Sequence, residues 1–238
     1  MSWELVDPAR SGLETRLWRL NLAAATNFVL GGSLFALGAV LAQTGAVKLI
    51  GVNITYLAGG VFFSLGGYAS ILLVMRTIGD PRTAGDRGRV PWWSIRLHQE
   101  AWSSAVVLFA GTLLFGLSLV AAFAQGLTPR QSNGWIWLPD ILGCVCFLVS
   151  GHLAMRAVSE EAHGGRVRRI GWWVVAVNQT GSILFFLAGI ASFIRPATSQ
   201  ALDAQLVNWG TFAGAVCFAL GGVIQAFDTP TPASRKVS

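Results

Sequence analysis

The sequence predicts an all-α polytopic membrane protein, with six transmembrane helices forming three related helical hairpins. Three observations lead to this fold class. Of the 238 residues, 53% are hydrophobic and only 12% are charged, whereas a soluble domain carries about 25% charge. Apolar runs at 21–43, 54–75, 101–125, 135–155, 171–194 and 204–227 each come close to or exceed the roughly 20 residues that cross about 30 Å of hydrocarbon. Every run also holds a glycine followed by a small residue and, four positions after the glycine, a phenylalanine. These pairs are Gly31/Phe35, Gly59/Phe63, Gly111/Phe115, Gly143/Phe147, Gly181/Phe185 and Gly214/Phe218. A spacing of four places both side chains on one helix face.

Taken in order, the chain divides into an N-terminal segment (1–20), a first hairpin (21–76), a basic loop (77–100), a second hairpin (101–156), a shorter basic loop (157–170), a third hairpin (171–227) and a tail (228–238). The leader mixes Glu4, Asp7 and Glu14 with arginines, so the first run is expected to remain as a helix and not to act as a cleaved signal. Asn53 and Asn208 each stand six residues before a motif glycine, where a side-chain oxygen is expected to cap a helix start. Pro139 and Asp140 are expected to open the fourth helix, with Asp140 complementing its dipole and cation binding by Asp140 as the alternative. Between Arg89 and Trp102, apolar Pro91, Trp92, Trp93, Ile95 and Leu97 are interspersed with Arg96, His98 and Glu100, as in a segment lying in the interface.

The even-numbered runs are the most alike. GGVFFSLGG from Gly59, GCVCFLVSG from Gly143 and GAVCFALGG from Gly214 superimpose without a gap and close on Gly67, Gly151 and Gly222. The odd-numbered runs close on Ala39, Leu119 and Gly189, so the repeat unit is a hairpin. Lipid gives helices no hydrophobic reason to associate, and small residues that admit close backbone approach do more of that work. The Gly and Phe faces are therefore read as packing surfaces, with a symmetric pore or cavity lined by the same faces as the alternative.

Charge placement orients the chain. Of the 17 basic residues, Lys48, Arg130 and Arg195 fall on one side of the spans and all the others on the opposite side, with both termini. The positive-inside rule then puts both termini in the cytoplasm, as expected of a multi-pass protein of the cytoplasmic membrane. The net charge of +6 describes a surface facing anionic lipid and gives no reason to expect nucleic acid as a partner. Cys144, Cys146 and Cys217 lie inside apolar runs, where cysteine behaves as a small apolar residue.

Few residues carry chemistry. His152 is the best single candidate, for a proton, a metal or a haem, but His98 and His163 stand at no ligand spacing from it, and its favoured reading is a polar side chain reaching interfacial water. Asn178, Gln179, Thr180 and Ser182 form the most polar stretch in any span and are read as interhelical hydrogen-bonding groups; the alternative is a polar pocket or path in which Tyr68, Thr112, Asn178, Gln179 and His152 share. No lysine lies inside a run to form a Schiff base, no acidic residue sits at a midplane, and no phosphate loop, metal-ligand cluster or nucleophile motif appears.

From Pro91 to Phe227 the chain resembles the YrhK-like domain proteins of bacterial membranes. The resemblance rests on Trp172-Trp173 followed by Asn178 and Gly181-Ser182, on Pro139-Asp140 before Gly143 and Cys146-Phe147-Leu148, and on Gly210-Thr211-Phe212 leading to Gly214 and Cys217-Phe218. It implies the membrane architecture and no active site; His152 departs from the family pattern. The expected function is non-catalytic and without cofactor: an accessory, scaffold or lipid-associated component, working with membrane lipids and with partner proteins or as a homo-oligomer. A facilitator or channel for a polar or neutral solute is the alternative, and a haem-binding electron carrier using His152 a remote one.

Overall fold

The computed structural model of the protein describes residues 8–78, 99–163 and 169–230. The expected interfacial segment around Trp92 and Trp93, most of the two basic loops and the end of the tail lie outside the described residues. Among the described residues six helices are long and apolar enough to cross a membrane, and the chain is a multi-pass membrane protein. They are α1 (Pro8–Thr44), α2 (Leu49–Ile78), α3 (Glu100–Ala121), a span built from α4 (Pro129–Ser132), a π-helical segment (Asn133–Trp137) and α5 (Leu138–His163), then α6 (Arg169–Ala191) and α7 (Ala204–Ala226). Among the described residues the only β-pairing is an isolated bridge between Ile194 and Ala201.

The spans close into a ring, each against two neighbours, in the order α1, α2, α3, α5, α6, α7 and back to α1. Because α1 lies against α7 about as extensively as against α2, the hairpins of the sequence are not separate bodies within the ring.

Side-chain size sorts radially. Leu30, Leu65, Leu117, Val149, Leu187 and Leu220 are exposed on the outside, while none of the six motif phenylalanines is more than 8% exposed. In water such an outer surface would be costly. In lipid, leucine gains nothing by turning inward, so the inside goes to residues that let backbones approach and to the rings that fill the remaining space. Tryptophans mark both ends: Trp18, Trp172 and Trp173 near the end carrying both termini, and Trp135 and Trp209 near the opposite end.

Helix starts differ from the sequence reading at three places. Helix α2 begins four residues before Asn53, whose side chain instead donates to the carbonyl of Ala122 (2.9 Å), one of the free carbonyls past the end of α3. Asn208 lies inside α7 and donates to the Gln43 side chain (2.8 Å), while the cap of α7 is Asp203, accepting from the backbone of Gln205 and Leu206. The fourth span starts well before Pro139, because Thr128 and Gln131 form a capping box with Pro129 in the first turn. Asp140 is therefore about three turns inside a continuous helical span and does not complement a free helix start. Asp203→Ala is expected to cost about 1 kcal/mol, read as a fall in the melting temperature of the detergent-solubilised protein, with Asp203→Asn restoring most of it.

Candidate functional site

One helix crossing occurs three times. At α1/α2, a methyl group on Gly31 would fall 2.6 Å from the ring of Phe63, and one on Gly59 would fall 2.9 Å from the ring of Phe35. At α3/α5, Gly111 faces Phe147 (2.9 Å) and Gly143 faces Phe115 (2.8 Å); at α6/α7, Gly181 and Gly214 each meet the other's carbonyl at 2.9 Å, with Phe218 and the backbone of Phe185 alongside. Five of the six phenylalanine rings thus cover the partner's glycine, and at Gly214 the opposing backbone of α6 does so. Cys146 and Cys217 occupy equivalent places beside Gly111 and Gly181.

The closing glycines join these crossings around the ring. Gly67 meets Phe109 of α3, Gly151 meets Gln179 of α6, and Gly222 meets the Ala25 carbonyl and Val29 of α1. Gly189 runs the other way, against Ile141, Cys144 and Asp140 of α5.

The six rings meet on the axis of the bundle. Those from the odd-numbered spans form a near-equilateral triangle, with centroids 5.9 Å apart for Phe35/Phe115 and Phe115/Phe185 and 6.0 Å for Phe35/Phe185. Those from the even-numbered spans form a second layer through Phe63/Phe218 (5.4 Å) and Phe147/Phe218 (6.0 Å). Phe35/Phe63, Phe115/Phe147 and Phe185/Phe218 tie the layers at 5.4, 5.5 and 5.4 Å. These separations are those of favourable aromatic pairs, and the two layers form a plug.

A cavity lies on each side of the plug. One of about 300 Å³, towards the end carrying the termini, is floored by Phe147 and Phe218 and walled by Ser70, Leu108, Val175 and Asn178. Another of about 240 Å³, towards the opposite end, is floored by Phe35, Phe115 and Phe185 and walled by Tyr56, Trp137, Asp140 and Thr211. Between them, beside Gly60 and Thr112, is a gap of about 10 Å³, at the lower limit of what a single water needs.

The residues expected to form a polar pocket do not converge. Asn178 lines the larger cavity, but the side-chain oxygen of Gln179 is aimed at Gly151 of α5, because consecutive helix positions point about 100° apart. Thr112 is buried, borders the small gap and donates to the Phe109 carbonyl (2.7 Å). Tyr68 is 39% exposed on the outer surface beside Phe109. His152 is exposed on the outside of α5, and the described residues bring together no group of three or more His, Cys, Asp and Glu suited to a metal. His98 and the side chain of His163 lie outside the described residues.

Other polar contacts were not anticipated. Ser104 of α3 and Ser150 of α5 each donate to the other's carbonyl at 2.9 Å. Their register was readable: one stands seven residues before Gly111 and the other seven after Gly143, which antiparallel packing brings level. Asn21 of α1 donates to the carbonyls of Gln225 (2.8 Å) and Asp228 (2.9 Å), and Gln225 donates back to its side-chain oxygen (3.1 Å). The side-chain oxygens of Asn178 and Gln179 are buried without a hydrogen-bond partner among the described residues, each against a glycine, Gly221 and Gly151. No family model, curated protein or solved structure matches the chain.

Proposed function

We propose that the protein is a non-catalytic component of the bacterial cytoplasmic membrane, with both termini in the cytoplasm, that acts through its lipid-facing surface as a lipid-associated scaffold or accessory subunit. The observation that carries this reading is the aromatic plug: six rings pack against one another between the two cavities, where the gap beside them measures about 10 Å³. The orientation is supported by the distribution of basic residues along the sequence, and the YrhK-like resemblance rests on the sequence motifs alone. Native mass spectrometry of the protein released from nanodiscs tests the function. Retained lipid or a homo-oligomer is the expected result; a lipid-free monomer, together with solute flux above that of empty liposomes, overturns the reading.

A second reading has its own observation. Two cavities meet the same plug from opposite sides, which is also the geometry of a closed facilitator for a small polar or neutral solute. Stopped-flow swelling of proteoliposomes separates the two: rates equal to those of empty vesicles favour the scaffold, and faster rates favour the facilitator.

A further inference from the structure

The cavity on the side away from the termini has a feature that the scaffold reading does not use. We infer that it is a binding site for a small organic monocation, with the Asp140 carboxylate as its counter-ion and the rings of Tyr56, Trp137 and the plug as its walls. Asp140 is the single charged residue in any of the six apolar runs, and it lines this cavity. Within the continuous span Pro129–Glu160 it has no helix start to stabilise, and it makes no hydrogen bond or ion pair among the described residues. No lysine, arginine or histidine shares the lining. A half-buried carboxylate without a cation beside it carries an unbalanced cost in lipid, which a bound positive charge would relieve.

The walls are held in place. Trp137 donates its indole N–H to the Gly189 carbonyl (2.9 Å) and packs edge-on against Phe193 (5.1 Å). Tyr56 is fixed over Gly38, where a methyl group would fall 2.7 Å from its ring, and stands 5.5 Å from Phe35. The carboxylate lies beside Gly189 of α6, where a methyl would stand 3.4 Å from Asp140 Oδ2, in ordinary contact. The π-helical segment Asn133–Trp137 leads directly into this wall, with Leu138 bonding back to Asn133; such insertions occur frequently at functional sites.

The chemistry selects the ligand class. Aromatic faces attract cations through their quadrupole, whereas a hard metal ion asks for a shell of oxygens, commonly with several carboxylates; here Asp140 is the one charged oxygen donor, and Ser118, Ser132, Ser192 and Thr211 add only neutral hydroxyls to the lining. A volume of about 240 Å³ is below that of sites for drug-sized ligands and suits an alkylammonium or guanidinium-type ion.

Isothermal titration of the full chain in nanodiscs with tetraethylammonium chloride, against sodium chloride at matched ionic strength, tests the assignment. One saturable site per chain is expected, weakened at least tenfold in Asp140→Asn and in Val207→Trp, which fills the cavity from α7 without touching the charge. Unchanged affinity in a folded Asp140→Asn protein, no saturable binding by the unaltered protein, or equal binding of sodium overturns it. Where Asp140→Asn yields no folded protein, Val207→Trp decides, and unchanged affinity there overturns the assignment.

Discussion

Gly143→Leu is expected to leave no folded protein, and Gly214→Leu the same. A methyl group at Gly143 would already stand 2.8 Å from the Phe115 ring and 3.0 Å from the Gly111 carbonyl; at Gly214 it would stand 2.9 Å from the Gly181 carbonyl. A ring can turn aside, but an opposing helix backbone moves only if the whole crossing opens. Overpacking by a methylene or two costs about 1–3 kcal/mol, the range expected for Gly143→Ala; leucine adds four carbons against backbone and exceeds it. Membrane-fraction yield and melting temperature in mild detergent are the measurements, and wild-type values for both leucine variants would show that these glycines are not close-packing positions. Gly116 and Gly134 serve as internal controls, because a methyl on either meets nothing within 4 Å.

Phe35→Ala is expected to be the most damaging single truncation in the plug. Its ring lies within 6.0 Å of four others, Tyr56, Phe63, Phe115 and Phe185, and belongs to the layer that floors the Asp140 cavity. Phenylalanine-to-alanine changes in packed cores cost about 3–5 kcal/mol, so a large drop in melting temperature should accompany it. The missing ring also enlarges the gap between the two cavities, so proteoliposomes carrying Phe35→Ala should swell faster in a small-solute gradient than those carrying the unaltered protein. Phe227→Ala is the comparison: Phe227 is 74% exposed and should change neither measurement.

The membrane architecture was legible because lipid imposes a length and a scarcity of charge that few other environments demand, and all six spans carry both, with Asp140 the one charged residue in the six apolar runs. The inward face was legible too, since the Gly and Phe spacing fixes a single side of each helix. Helix starts at the end away from the termini were less so. Thr128, Pro129 and Gln131 read as part of a polar link until the capping box is seen, and the π-helical turn has no sequence rule to announce it. The polar residues misled because a count within a span carries no azimuth: Asn178 and Gln179 are neighbours in the chain and serve different helix contacts. Asp140 was assigned a local electrostatic role for the same reason, since its distance from the true helix start depends on four residues, Pro129–Ser132, that look like loop.

The contact between the outermost spans also bears on chain connectivity. Asn21 fastens α1 to the end of α7 at Gln225 and Asp228, so the ring has no seam reserved for the two free ends. Where a barrel stave begins is arbitrary once the hoop is closed: a peptide linker joining the old ends, with a new break opened in the 79–98 connection, should give a permuted polypeptide that assembles to the same bundle.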